Sequence, residues 1–242
     1  MVDKTALITG ITSGIGREIA LCFAKGGWDI IGHYFSSKDK IEELKKAISD
    51  YGVKCTVLKA DFSSEKGLTA FLKKIGGLKV DSLINNAGTY VSMRHFAELT
   101  VKDLNKTFMV NSFAPMLIAS RVFEGMKRRG LGRIVNISSI AAKYGGSANS
   151  LHYGSSKLAL EGITKTLARE GAKHNVLVNT VRPGVIDTEF HKKFPKDMEK
   201  RVAMIPLKRM GRPEEVAEMV YYLGSDKNGF ITNETMTVAG GE

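Results

Sequence analysis

The 242-residue sequence is short of cysteine, of long apolar runs, of metal-ligand clusters and of acidic charge. Its two cysteines, Cys22 and Cys55, sit in apolar patterns. That excludes a disulfide-stapled framework and predicts buried free thiols in a reducing compartment, so a cytoplasmic location is expected. No apolar run reaches the length of about 18 residues that a membrane-spanning helix needs. Met1-Val2-Asp3-Lys4 leads directly into a strand-like run, which is not the pattern of a secretory signal peptide. No histidine and cysteine group has metal-ligand spacing, so no metal is expected. Asp and Glu number 25 against 36 Lys and Arg, a net charge of +11. The densest basic cluster, Lys127-Arg128-Arg129 with Arg133 nearby, lacks interleaved aromatics, which argues against nucleic-acid binding. The charge reads as a solvated surface that admits an acidic protein partner or an anionic substrate.

What the chain does have is regular alternation. Short apolar strands are predicted at 5–9, 29–34, 54–59, 82–85, 132–138, 177–182 and 234–238. Helical periodicity runs to residue 25, then over 38–51, 65–75, 101–129, 153–174 and 213–225. Such βα alternation, without repeat or linker, predicts one α/β domain over 1–242: a doubly wound, seven-stranded parallel sheet with helices on both faces. Residues 1–100 would be mainly cofactor-binding. Residues 101–242 would hold the catalytic part, with a long irregular stretch, 185–212, as a candidate lid over the substrate.

The first turn reads Gly10-Ile11-Thr12-Ser13-Gly14-Ile15-Gly16, between a strand and a helix. That is the context of a dinucleotide loop. Gly10 permits a tight turn, Gly14 lets backbone approach a cofactor, and Gly16 lets helix and strand pack closely. Thr12, Ser13 and Ile15 then face pyrophosphate at the helix N-terminus. The second strand runs into His33-Tyr34-Phe35-Ser36-Ser37-Lys38, with no carboxylate before Asp39. A carboxylate there would accept from a ribose 2′-hydroxyl and repel a 2′-phosphate. Hydroxyls and an ammonium can hold phosphate instead, so NADP(H) is expected over NAD(H), with Tyr34, Phe35, Ser36 and Ser37 at that site. Ser36 can also cap the next helix. Asp61, followed by Phe62, can accept from an adenine amino group or cap the helix that follows. Asn85-Asn86-Ala87-Gly88 ends the fourth strand, where small residues admit a ribose.

Ser138-Ser139 follow the fifth strand, and Tyr153 and Lys157 stand four apart. On a helix beginning at Tyr153 the two share one face. An ammonium at ~4 Å, in an effective dielectric of ~20, favours a phenolate by roughly 4 kcal/mol, about three pKa units. That arrangement gives a phenol able to exchange a proton near neutral pH, beside a hydroxyl such as Ser139 that can hold a substrate oxygen. Asn111 lies inside the long helical pattern, a mildly unfavourable place for it.

Taken together, Thr9-Gly10-x-x-x-Gly14-x-Gly16, Asn85-Asn86-Ala87-Gly88, Asn111, Ser139, Tyr153-x-x-x-Lys157 and Pro183-Gly184, in this order, resemble the short-chain dehydrogenase/reductase family. The resemblance spans essentially the whole chain. It is strongest to the 3-oxoacyl-[acyl-carrier-protein] reductases through 178–188, 205–217 and 238–241. It implies a Rossmann-type fold and NADPH-dependent reduction of a 3-oxoacyl thioester. The alternatives are an NAD(P)-dependent secondary-alcohol, sugar or polyol dehydrogenase, or a non-catalytic cofactor-sensing protein. By the same resemblance Tyr153 is the proton donor, and Lys157 lowers its pKa and binds the nicotinamide ribose. Ser139 orients the substrate oxygen, and Asn111 holds a water in a proton relay. Ile186 and Thr188, after Pro183-Gly184, contact the nicotinamide carboxamide. The resemblance further implies a homotetramer or dimer. A carrier-protein dock finds a partial match at Arg129 and Lys173-His174.

Overall fold

The computed structural model describes residues 4–12, 14–36, 38–192 and 197–242. The first half runs β1 (Thr5–Thr9), α1 (Gly14–Lys25), β2 (Asp29–Tyr34), α2 (Lys38–Ser49), β3 (Cys55–Lys59), α3 (Glu65–Ile75) and β4 (Ser82–Asn85). The second half runs α4 (Val101–Phe108), α5 (Ala114–Arg129), β5 (Gly132–Ile137), α6 (Ile140–Tyr144) and α7 (Leu151–Ala172). It ends with β6 (Val176–Pro183), α8 (Glu189–Lys192), α9 (Met198–Ala203), α10 (Pro213–Gly224) and β7 (Thr235–Val238). The seven strands form one sheet in the order β3-β2-β1-β4-β5-β6-β7, every pair parallel. The winding reverses between β1 and β4, which opens a crevice at the carboxyl ends of the strands.

Side-chain alternation along the strands builds the two cores. From β1, Ala6 and Ile8 pack with Phe23 of α1, Leu44 of α2 and Val220 of α10. Leu7, between them, points the other way, to Phe71 of α3, Ile118 and Met126 of α5 and Ala168 of α7. Both faces of the sheet are therefore dry along its inner strands, while the edge strands β3 and β7 stay part-exposed.

The largest departure from the sequence reading is in 101–129, which is not one helix. Thr100 caps α4 in a capping box with Asp103, and α4 ends at Phe108. A π-helical turn, Met109–Phe113, follows before α5 begins. Pro115 stands in the first turn of α5. A proline has no N–H, so it cannot bond back to the carbonyl four residues earlier, here that of Asn111. The break therefore falls where Asn111 sits. In addition, α7 starts at Leu151 rather than at Tyr153, and the stretch 185–212 carries the short helices α8 and α9. Other ends shift by one or two residues: α2 stops at Ser49, α10 at Gly224, β6 lengthens to Pro183 and β7 opens at Thr235. Among the described residues no helix is long and apolar enough to cross a membrane, and no metal-binding cluster is present.

Candidate active site

The glycine turn is fixed by what it touches. Gly10 and Gly14 have φ of 73° and 52°, in the left-handed region that favours glycine. A Cβ on Gly16 would lie 2.1 Å from the Gly10 carbonyl oxygen, so only glycine lets α1 pack this closely on the turn. The turn is pinned to the end of β4. Thr9 Oγ1 accepts from the Asn86 and Ala87 amides, at 3.0 and 2.9 Å. Asn86 Nδ2 in return donates to the Thr9 and Gly10 carbonyls, at 2.9 and 3.0 Å. On its open side the turn meets the loop after β6, for a Cβ on Gly14 would come within 2.8 Å of Thr188 Cγ2.

At the outer end of the crevice, His33 is the residue the sequence reading passed over. It is buried at the end of β2, stacks on Phe62 at 3.8 Å, and accepts at Nδ1 from the Gly10 amide. With Nδ1 an acceptor, Nε2 carries the proton and donates to the Ala60 carbonyl at 3.1 Å. Burial lowers its pKa to about 4, so the ring is neutral at physiological pH. Phe35 and Ser36 line the crevice beside it. Tyr34 does not. Strand alternation turns it into the core beneath α1 and α2, so its assignment as a cofactor contact is corrected. Ser13 and Ser37 lie outside the described residues. Asp61 lines the crevice, and its Oδ1 accepts from the amide and hydroxyl of Ser63, at 2.8 and 2.7 Å. The cap of α3 is Ser64, not Asp61.

The catalytic candidates meet at the carboxyl ends of β4 and β5. Ser139 caps α6, and its Oγ accepts from the Ala141 amide at 3.1 Å. Tyr153 and Lys157 lie one turn apart on α7 and both line the crevice with Ser139. Lys157 is 3% exposed, and its Nζ donates to the Ile137 carbonyl at 2.8 Å, 6.0 Å from the Tyr153 ring centre. The expected pairing is thereby altered. Burial brings the lysine down to about 8. Burial also raises the Tyr153 phenol above its ordinary range, against a smaller lowering by a hydrogen bond with Ser139. The phenol therefore keeps its proton at neutral pH.

Asn111, at 0% exposure, is a bracket rather than a crevice wall. Its Oδ1 accepts from the Thr89 amide at 2.7 Å, and its Nδ2 donates to the Thr89 carbonyl and to Ser156 Oγ, at 2.9 and 3.0 Å. It ties the strand β4 exit to α7. Gly88 leaves room between them, since a Cβ there would sit 3.2 Å from Lys157 Nζ and 3.5 Å from Asn111 Oδ1. A second bracket was not anticipated. Glu161 of α7 takes the Ser138 hydroxyl at 2.6 Å and both arms of Arg182, at 3.0 and 2.6 Å. It fixes α7 to the ends of β5 and β6.

The whole crevice encloses about 1290 Å³ and runs from His33 and Asp61 past Gly14 and Tyr153 to Met198, Arg201 and Glu242. Pro183, Gly184, Ile186 and Thr188 form its floor after β6. Thr12, Ile15, Ala87 and Gly88 line it, while Gly16, buried in the first turn of α1, packs on the Gly10 carbonyl instead. Tyr90, Tyr144 and Phe190 add an aromatic wall at the Tyr153 end, which no motif in the sequence marked.

A doubly wound sheet with a glycine turn at its switch point, and a Ser-Tyr-Lys set at the same edge, defines a short-chain oxidoreductase. The chain belongs to the short-chain dehydrogenase/reductase family. The family described as Enoyl-(Acyl carrier protein) reductase matches residues 10–242. The 3-oxoacyl-[acyl-carrier-protein] reductase FabG of Aquifex aeolicus (strain VF5) is 34% identical over 241 residues, 98% of this chain and 96% of that protein. The acetoacetyl-CoA reductase of Cupriavidus necator is 36% identical over 248 residues, covering 100% and 98%. Among solved structures, YwfH, described as an NADPH-dependent reductase involved in bacilysin biosynthesis, superposes with a TM-score of 0.90. It shares 28% identity over 99% of this chain and 98% of that one.

Proposed function

We propose that this protein reduces the ketone of a 3-oxoacyl thioester to the 3-hydroxyacyl thioester, using NADPH. The observation that carries the reading is that Ser139, Tyr153 and Lys157 line one open crevice, with Tyr153 walled by Tyr90 and Phe190. The crevice fits a nicotinamide dinucleotide: its glycine turn, its small Ala87 and Gly88 and the gap between Gly88 and Lys157 leave a cradle that Cβ atoms would fill. When bound, NADPH supplies the hydride. Gly10, Thr12, Gly14 and Ile15 would hold the pyrophosphate on the α1 N-terminus. Ala87 and Gly88 would border the nicotinamide ribose with Lys157, and Ile186 and Thr188 its carboxamide. Phe35 and Ser36 would meet the 2′-phosphate, since this strand end presents no carboxylate.

In this mechanism Ser139 holds the ketone oxygen and Tyr153 gives it the proton. Lys157, anchored on the Ile137 carbonyl, keeps a positive charge within reach of the phenolate that remains. Asn111 holds Thr89 and α7 in register and leaves the gap at Gly88 open for a water that returns the proton. The names of FabG and of the acetoacetyl-CoA reductase support the thioester substrate. A carrier-protein dock has weaker support, because Arg129 is turned to Asp81 and Lys173 pairs with Glu170. An oligomer, dimer or tetramer, is supported by exposed apolar side chains on α4, α5 and α7, among them Val101, Leu117 and Leu158. Two unbridged thiols support a cytoplasmic location.

A second reading, oxidation or reduction at a sugar or polyol carbon, is favoured by one observation, the charged pair Arg201–Glu242 in the crevice wall. The test is consumption of NADPH and of NADH with acetoacetyl-CoA, beside NAD(P)+ reduction with a polyol panel. NADPH consumption with the thioester is expected. Turnover of polyols alone would replace the substrate assignment, and turnover with NADH alone would overturn the phosphate site.

A further inference from the structure

Beyond Tyr153, toward the ends of β6 and β7, the crevice is closed by α9 and by the chain after β7. Arg201 of α9 pairs through Nη2 with Glu242 Oε1. The Glu242 side chain is 8% exposed and that of Arg201 25%. Both line the crevice. The pair is incompletely satisfied: Arg201 Nη1 and Glu242 Oε2 are buried and have no hydrogen-bond partner. Glu242 Oε2 stands against the floor of the site, 3.2 Å from where a Cβ on Gly184 would be. Gly184 continues β6 beyond Pro183, and β6 is the neighbour of β5, whose end carries Ser138 and Ser139.

A buried donor and a buried acceptor left without partners are costly, and a buried ion pair is stable only when its remaining lone pairs and protons are met. The two open atoms belong to groups of opposite charge that already neutralise each other. A methylene chain would leave both unpaired. A carboxylate or phosphate would gain from Arg201 but be repelled by Glu242. The complement is a neutral group that both accepts and donates, a hydroxyl or a carboxamide. We propose that Arg201 and Glu242 form a polar subsite that selects carbonyl substrates bearing a hydroxyl or amide away from the reacting carbon. This rests on the reading of the crevice as a carbonyl-reducing site and narrows its substrate class. A carbohydrate-type ketone would supply the hydroxyl, and the pantetheine arm of a thioester the amide.

The experiment measures binding and turnover separately, on the full chain saturated with NADP+ for binding and with NADPH for turnover. Two matched probe pairs distinguish the sources. Acetoacetyl-N-acetylcysteamine, which carries an amide, is set against the S-butyl thioester of acetoacetate. A ketopentose is set against 2-pentanone. In the unaltered protein at least one polar probe should bind about 10- to 100-fold more tightly than its apolar match, and the pair that shows it names the source. In the doubly substituted Arg201→Met/Glu242→Met protein, which leaves no lone buried charge, that preference should collapse toward unity. Glu242→Gln gives an independent arm. Removing the carboxylate frees Arg201 for an anion, and acetoacetate should bind about tenfold better.

No polar preference in the unaltered protein overturns the subsite. So does equal loss of all probes in the double variant, which marks a purely structural pair. Polar preference in binding without turnover of any probe leaves the subsite standing and sinks the reductase reading instead.

Discussion

Lys157 carries a burial penalty that can be measured without substrate. Its side chain is 3% exposed, and burial lowers its pKa from 10.5 to about 8. Between those two values the unfolded chain holds a proton that the native protein does not. Native stability therefore rises with pH through that window. Below pH 8 both states are protonated and the whole penalty, roughly 3 kcal/mol, stands against the fold. The perturbation is Lys157→Met, which keeps the apolar stem and removes the charge. Urea unfolding of both proteins, without cofactor, at about pH 7 and about pH 10 gives a double difference in which the other titrating groups cancel. The unaltered protein should gain roughly 2 to 3 kcal/mol on the variant across that interval. Losing the donor to the Ile137 carbonyl displaces the variant at both pH values and does not imitate the slope. Parallel stabilities at the two pH values would refute the reasoning, because they would mean that the native lysine titrates as in the unfolded chain.

Other expectations follow from the same geometry. Gly16→Ala sets a methyl 2.1 Å from the Gly10 carbonyl oxygen and should lower stability by about 1–3 kcal/mol, read from the denaturant midpoint. Glu161→Gln leaves Arg182, 17% exposed, without its counter-charge and should cost about 3–5 kcal/mol in thermal or chemical unfolding. Asn111→Leu removes the three hydrogen bonds that hold Thr89 and Ser156, and should lower kcat more than it alters NADPH affinity in a fluorescence titration. Reduction should decline as pH rises past about 8, where Lys157 gives up its charge, in a pH profile of kcat.

Much of this molecule is legible in its sequence. The succession of strands and helices follows from apolar runs separated by helical periodicity, and Gly10, Gly14 and Gly16 mark the turn at the crevice because a turn this tight admits no side chain. What was not legible depends on partners far apart in the chain. His33 sits in a strand and gives no local sign that it will stack on Phe62 and bond the Gly10 amide. Glu161 and Arg182 look like ordinary surface charges until α7 is laid across the end of β6. Arg201 and Glu242 are 41 residues apart, and no spacing rule joins them. The break at Asn111 is a different matter. Pro115 carried that signal in the sequence, since its missing N–H disrupts the helix at the residue four before it. The four-residue spacing of Tyr153 and Lys157 located the pair but not its electrostatics. The Ile137 carbonyl draws the ammonium, and burial holds the proton on the phenol.

The central claim is that Tyr153 protonates a ketone oxygen in this crevice. Its most direct test is NADPH consumption with acetoacetyl-CoA by the unaltered protein and by Tyr153→Phe, with NADPH binding measured in both. The account predicts turnover in the first, a loss of about 10²-fold or more in the second, and NADPH affinity within a few-fold of each other. Equal turnover by the two proteins would contradict it.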